Sequence, residues 1–272
     1  MRKMAIALLA LGLVAWTSAF AANPLRISQV YGGGGNSGAY YRYDYVELFN
    51  SSSSPVDIGG WSIVYATATG TSFANTAQYR VTFPAGATIP ACGYYLIQCA
   101  AGANTGAQPL PVTPDAVGTT AMSATACKIG LISSGTSATC ASTFVDLVSV
   151  ASSGCWEGSA PTGATSNSTA AVRKLGGVTD TDNNSADFSI LACNATLPIH
   201  NSASSPNPDC APPPTGACCL RYLNPGDCIT TTAADCAARP GIYLGDGAPC
   251  DPGICATPAI RTTWGRIKTI YR

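Results

Sequence analysis

His200 is the single histidine of this 272-residue chain. Acid–base and nucleophilic catalysis most often rely on imidazole, but Pro198 and Asn201 flank His200 in a proline-rich stretch. A surface place in a linker is expected for it, since such a segment cannot hold a base to catalytic tolerance. No Gly-x-Ser-x-Gly elbow, His-Glu-x-x-His pair or phosphate loop accompanies it. Glu47 reads as a lone carboxylate on the outward face of a strand, without the second carboxylate of an acid/base pair. Gly32-Gly33-Gly34-Gly35 is followed by Tyr-rich, strand-like sequence rather than a helix, so it reads as a flexible inter-strand connection and not an anion cradle.

The segment Asp180 to Asp187 sets oxygen ligands at alternate positions, with Asp180, Asp182, Asn184 and Asp187 as calcium candidates. Ser185 stands where a calcium loop needs glycine, and Leu191 where it needs a bidentate glutamate. A structural turn that delivers Phe188 to the core is the favoured reading, because Asp and Asn side chains bond the local backbone in turns. No catalytic, cofactor-binding or metal residue is therefore assigned, and no cofactor is expected beyond this calcium option.

Thirteen cysteines remain, all beyond residue 91. Without Cys-x-x-Cys knuckles they point to disulfides in an oxidising compartment rather than to metal. Cys127 and Cys140 lie symmetrically about Ser133-Ser134, so a hairpin there would bring their sulfurs together. Cys92 and Cys99 are not expected to pair, because seven extended steps hold their α-carbons about 23 Å apart. Cys218, Cys219, Cys228, Cys236, Cys250 and Cys255 form a separate group. Three disulfides are expected among them, since so short a stretch cannot hold itself by apolar burial. The neighbours Cys218 and Cys219 leave opposite faces of an extended segment and should bond to different partners.

The elements that would position these groups are strands. Leu25–Tyr31, Tyr43–Asn50, Trp61–Tyr65, Tyr79–Phe83, Tyr94–Cys99, Lys128–Ser133 and Phe144–Val150 are short β-favouring runs between Gly, Pro, Asn and Ser clusters. No window before the last dozen residues carries a helical apolar repeat. Such a series suits an all-β sandwich or barrel around one core. With 14 basic and 14 acidic residues the chain lacks the basic excess of a nucleic-acid binder. Tyr40, Tyr41, Tyr43, Tyr45 and Phe49 surround only Arg42, too few cations for an oligonucleotide platform, but suited to a protein or glycan surface or to core packing.

The ends differ from the body. Arg2-Lys3, the apolar run Met4 to Trp16 and Ala19-Phe20-Ala21 predict a signal peptide over 1–21, with no transmembrane segment after it. A sandwich over 22–196, a proline-rich linker over 197–215, the six-cysteine module over 216–257 and a basic tail over 258–272 complete the expected organisation. In the tail Trp264, Ile267, Ile270 and Tyr271 share one helical face, and Lys268 and Arg272 a neighbouring one, beside Arg266.

Leu25-Arg26-Ile27-Ser28-Gln29-Val30-Tyr31-Gly32-Gly33-Gly34-Gly35-Asn36, then Tyr43-Asp44-Tyr45-Val46-Glu47-Leu48-Phe49-Asn50, then Pro55-Val56-Asp57-Ile58-Gly59-Gly60-Trp61-Ser62-Ile63 together resemble the opening of a bacterial lamin-tail domain. Ile89 to Ile97, Lys128 to Leu131, Val145 to Val148 and Asp180 to Phe188 resemble its later strands and closing turn. Ala91-Cys92 departs from the commoner Pro-Gly or Gly-Gly turn. The resemblance implies an immunoglobulin-like β-sandwich without a catalytic centre, here followed by a small disulfide-rich C-terminal module that resembles a short Cys-rich repeat of secreted bacterial proteins. It also implies a secreted or cell-envelope binding or display module, with an unidentified protein or glycan of the cell surface as partner. The tail resembles the ends of other secreted bacterial proteins, which implies a sorting or attachment tag, the alternative being an inert, frayed basic tail. The rival expectation is a calcium-dependent extracellular nuclease or phosphatase, because related domains travel with such enzymes.

Overall fold

The computed structural model describes residues 23–74, 76–210, 215–220, 227–251 and 254–255. The expected signal peptide and the tail residues Trp264, Arg266, Ile267, Lys268, Tyr271 and Arg272 lie outside them. The first compact unit runs through Asn207 and the second begins at Pro208. Among the described residues no helix is long and apolar enough to cross a membrane.

In the first unit the strands are β1 (Leu25–Tyr31), β2 (Tyr43–Asn50), β3 (Val56–Asp57), β4 (Ser62–Thr67), β5 (Ser72–Phe73), β6 (Arg80–Thr82) and β7 (Thr88–Ile89). They continue as β8 (Tyr94–Ala101), β9 (Ala116–Val117), β10 (Cys127–Ile132), β11 (Ala138–Thr139), β12 (Asp146–Val150), β13 (Thr169–Arg173) and β14 (Phe188–Ala192), with α1 (Asn184–Asp187) just before the last. One six-stranded sheet runs in the order β14-β13-β1-β2-β8-β9, and a four-stranded sheet in the order β12-β10-β4-β6. Ile27, Val46, Leu48, Tyr95 and Ile97 of the first pack with Ile63, Tyr65, Ile129, Leu131 and Val148 of the second. This is the alternation of inward side chains that a two-sheet sandwich requires. β1 carries one irregularity, a register shift between Ile27 and Gln29. The bulged Ser28 explains why Ile27 and Val30, three residues apart, both enter the core.

Both outer faces are also covered in part. Tyr31, Tyr45, Leu96 and Ala170 on the back of the six-stranded sheet lie under Tyr41, Cys193, Leu197 and Ile199. On the back of the four-stranded sheet, Val64, Ala66, Ile132 and Leu147 lie under Phe73, Ala74 and Ala138. The Tyr-rich strip is thus largely interior: Tyr31, Tyr41 and Tyr45 are buried and their rings meet one another.

Three expectations need correction. Residues 197–207 are not a free linker, because Leu197, Ile199 and Asn207 are buried against the sheet and the Pro198 carbonyl accepts a hydrogen bond from Gln29 Nε2. Cys127 and Cys140 are not bonded. After Ile132 the chain does not turn back onto β10 but crosses to pair β11 with β5, and β12 takes the place beside β10. Cys127 is left as a free thiol in the core, while Cys140 is bonded to Cys155; Cys99 and Cys193 are likewise free and buried. Nor is the glycine run a loose spacer. A β-carbon on Gly34 would stand 2.1 Å from the Tyr43 carbonyl carbon, and one on Gly32 2.3 Å from the Ser123 carbonyl oxygen. Asp44 Oδ1 accepts the Gly34 N–H at 2.8 Å and its Oδ2 the Met122 N–H at 2.8 Å, which ties that junction to the chain leading into β10.

The second unit is small. β15 (Thr215–Cys219) lies between β16 (Cys228–Thr232) and β17 (Ile242–Tyr243), with α2 (Ala233–Ala238) between the latter two in sequence. The Thr232 hydroxyl oxygen accepts the Asp235 N–H at 3.1 Å and caps that helix. Disulfides join Cys218 to Cys236, Cys219 to Cys255 and Cys228 to Cys250, so the adjacent pair does bond to different partners.

Candidate functional site

The back of the six-stranded sheet carries a polar cluster and, beside it, an open groove. The bulge at Ser28 turns the next residue so that Gln29 stands opposite Glu47. Glu47 is 1% exposed rather than outward in solvent, because the segment after β14 closes over it. Its Oε1 accepts the Ser28 hydroxyl at 2.7 Å and Gln29 Nε2 at 3.2 Å. Its Oε2 accepts the His200 N–H at 2.7 Å and faces His200 Nδ1 at 3.3 Å. Tyr45 donates its hydroxyl to Gln29 Oε1 at 3.0 Å. A buried carboxylate with four donors around it is satisfied without a lysine or arginine.

His200 is therefore docked and not loose in a linker. Its ring stacks on Tyr94 with centroids 4.0 Å apart and an interplanar angle of 16°. The carboxylate stands between the serine hydroxyl and the imidazole, whereas a nucleophile–base pair needs the imidazole in the middle. What this order can do is fix the imidazole and the 197–200 segment in place.

The groove next to this cluster encloses about 260 Å³, with His200, Lys174, Val172, Leu175, Leu191 and Leu197 among its walls. Leu175 is 61% exposed and Leu191 42%. Leu175 also sits at φ 52°, a left-handed conformation that costs a non-glycine residue about 1–2 kcal/mol. A strained leucine facing solvent gains little from packing, so its position belongs to the groove and not to the core.

Below the same sheet lies a second polar cluster built on Arg173, whose side chain is 0% exposed. Nη2 donates to Asp146 Oδ1 and Oδ2 at 3.0 and 2.8 Å, and Nη1 to Asp180 Oδ1 at 2.9 Å. Asp187 Oδ2 is 3.5 Å away, Nε donates to the Ile27 carbonyl at 2.9 Å, and the guanidinium lies 4.5 Å over the Phe188 ring. Burial opposes the Arg173 charge, but Asp146 and Asp180 outweigh it and hold its pKa above the ordinary value. Burial likewise opposes the Asp187 charge, yet hydrogen bonds from the Thr181 N–H and hydroxyl and from the Asn183 N–H prevail and hold its pKa down.

These partners account for the calcium candidates. Asp180 bonds Arg173 and also lies 3.2 Å from Arg26 Nε. Asn184 Nδ2 donates to the Leu147 carbonyl and its Oδ1 accepts the Ser149 N–H, both at 2.9 Å. Asp182 is exposed at φ 52° in the turn. Asp180 and Asp187 both face Arg173, Asn184 bonds the backbone of β12 and Asp182 faces solvent, and Phe188 enters the core directly after them. Among the described residues no three His, Cys, Asp or Glu side chains converge as a metal site would need.

The residues missed in the sequence are Ser28, Gln29, Asp146, Arg173, Leu175 and Leu191. Two of them carry a readable signal. Arg173 shares strand parity with the core residue Ala171, and Asp146 with Val148 and Val150, so an inward cation and an inward anion could have been paired.

Residues 18–150 of the chain match the model of the lamin tail domain family. Among curated proteins nothing matches the chain. With the two packed sheets, the family match makes the main body an immunoglobulin-like β-sandwich, and the described residues form an all-β fold with a small disulfide-rich C-terminal unit.

Proposed function

We propose that this lamin-tail-like chain is a secreted, non-enzymatic binding or display module of bacterial origin, which offers the groove beside His200 to a protein or glycan of the cell surface. The disulfide-rich unit serves as a compact knob, and the basic tail from Trp264 to Arg272 as a sorting or attachment signal. The observation that carries the reading is the use made of the chain's one imidazole. His200 is spent on Glu47 and Tyr94, where it braces the wall of a largely apolar groove. Pockets of that kind, with a few placed polar groups, are what ligand recognition uses.

The test is capture from culture supernatant and cell envelope by the exported chain and by its Leu175→Asp and His200→Ala variants. The wild type should retain a defined protein or glycan that Leu175→Asp loses and His200→Ala binds more weakly. Equal capture by all three would remove the groove from the account. Incubation of the same preparation with calcium, DNA and phosphate esters addresses the enzymatic alternative, and turnover abolished by chelation would overturn the binding reading. Deleting Thr262 to Arg272 should shift the protein from envelope to medium with its disulfides intact, and unchanged localisation would sink the tail's role.

A further inference from the structure

The edge strands of the sandwich are treated differently. β12 ends the four-stranded sheet, yet its outward backbone groups are all taken. The Leu147 N–H donates to Glu157 Oε1 at 3.0 Å and the Leu147 carbonyl accepts Asn184 Nδ2 at 2.9 Å. The Ser149 N–H donates to Asn184 Oδ1 at 2.9 Å and the Ser149 carbonyl accepts the Thr162 N–H at 2.8 Å. Two side chains and one passing loop thus imitate a further strand.

β14 ends the six-stranded sheet and has no such cover. The Cys193 N–H donates to the Ser168 carbonyl, so by strand alternation Leu191 and Ser189 turn their backbone groups toward β13. Ile190 and Ala192 then turn theirs away, while the Phe188 N–H is taken by the Asn184 carbonyl. Among the described residues nothing bonds the outward N–H and C=O groups of Ile190 and Ala192. The strand, Phe-Ser-Ile-Leu-Ala, contains no charge, proline or glycine, the devices by which exposed edges are normally blunted. A β-carbon on Gly163 would meet the Ile190 side chain, which packs on the core side. The opposite edge of the same sheet, β9, is two residues long, and β6 is three residues long and carries Arg80.

We propose that β14 is a self-pairing edge, at which two copies of this chain join antiparallel about a two-fold axis through Leu191. The geometry selects this occupant because the strand is self-complementary in one register. Ile190 faces Ala192 of the second copy and the reverse, so four N–H···O=C bonds form and every outward group of the two residues is used. Leu191 then stands opposite its own copy in the non-hydrogen-bonded position, with β-carbons roughly 4.5–5.5 Å apart. Each leucine covers the other, which accounts for the exposure of this side chain in the single chain. A formal net charge of zero leaves no long-range repulsion between copies. Leu191 also walls the groove, so pairing borders that groove, but the association of two copies is read without any groove ligand.

Sedimentation of the full chain over a concentration series tests it, together with two variants. The wild type should pass from monomer to dimer. Ala192→Pro removes an outward N–H and no bond to β13, a place where proline is tolerated in an edge strand. It should keep the fold and raise the dimer dissociation constant at least tenfold, roughly the loss of one to two hydrogen bonds. Leu191→Cys should yield a disulfide-linked dimer on non-reducing electrophoresis. Val117→Cys, more exposed and on β9, should not. A chain that stays monomeric at every concentration would overturn the proposal and leave the edge to a foreign extended segment. So would a dimer that Ala192→Pro does not weaken, or a Leu191→Cys chain that crosslinks no more than Val117→Cys.

Discussion

Between the sheets of the first unit, Ile27, Leu48, Ile63, Ile97, Leu131 and Val148 belong to one continuous buried cluster, whereas among the described residues of the second unit the cluster is Cys218, Leu220 and Cys236 with Ile229 and Tyr243 against them. Two of those three are disulfide-bonded sulfurs. The sandwich excludes water from a large apolar volume, and its fold survives on that burial. The small unit restricts its unfolded chain instead, with cross-links that span 18, 36 and 22 residues. Each such loop contributes on the order of 3 kcal/mol in the chain-entropy account. Cysteines thus serve unequal purposes in one chain. In the sandwich Cys99, Cys127 and Cys193 are buried thiols that pack as small apolar side chains.

Reduction of the disulfides should separate the two units most strongly. Reductant should unfold residues 215–255 as a whole while the sandwich stays folded, and hydrogen exchange of the two units before and after reduction measures it. Protection retained across 215–255 would show that burial alone suffices there.

Within the sandwich the next largest effect comes from Arg173. Removing it in Arg173→Met leaves Asp146, Asp180 and Asp187 without their shared cation, which should cost about 3–5 kcal/mol in chemical denaturation. A loss below about 1 kcal/mol would mean that these carboxylates take up protons freely when the arginine goes. The Cys140→Ser/Cys155→Ser pair should cost less, about 2 kcal/mol, because the 15-residue loop it closes is already held by Phe73 and Phe144. Complete unfolding of that variant would place the sandwich and the small unit in one class.

The smallest effect concerns pH. Burial pushes the Asp44 carboxyl up to about 7, against the two N–H groups it accepts, and burial together with the Asp146 charge pushes Glu157 up to about 8. Both folded values lie above those of the unfolded chain, so the folded form holds these protons more tightly. Their contribution is fully present below the unfolded carboxylate range and is lost as pH rises through 7 and 8. Asp187, shifted the other way, acts only at lower pH. The denaturation midpoint of the sandwich should therefore fall between about pH 5 and 8, and a midpoint that climbs over that window would refute the assignment of both protons.

The strand pattern was legible where local alternation decides it. Leu25–Tyr31 and Tyr43–Asn50 read directly from the sequence, because their apolar residues and bounding Gly and Asn residues are all local. The burial of Glu47 was not legible, since it depends on residues 197–200, some 150 positions away, whose prolines suggest an extended spacer. Leu197 and Ile199, alternating within that stretch, are the one hint that it lies on a sheet. Cys127 misled for a related reason. Its symmetry with Cys140 about a Ser-Ser-Gly turn is real in the sequence, but the choice of strand neighbours belongs to the whole sheet, and β12 and β5 compete better for the two positions.

The tetraglycine from Gly32 to Gly35 has a consequence for how such chains are compared across evolution. Its backbone stands against Ser123, Asn167, Tyr43 and Gly102, four points scattered over the first unit. Filters for low sequence complexity discard runs of this kind as spacers, and an aligner is free to open gaps in them. Here the run is a junction where three strand connections meet without room for a methyl group. In a saturation library it should extend the intolerance of buried Tyr31 through four further positions, up to the exposed Asn36 and Ser37. Alignments of distant relatives should be anchored on it rather than gapped there.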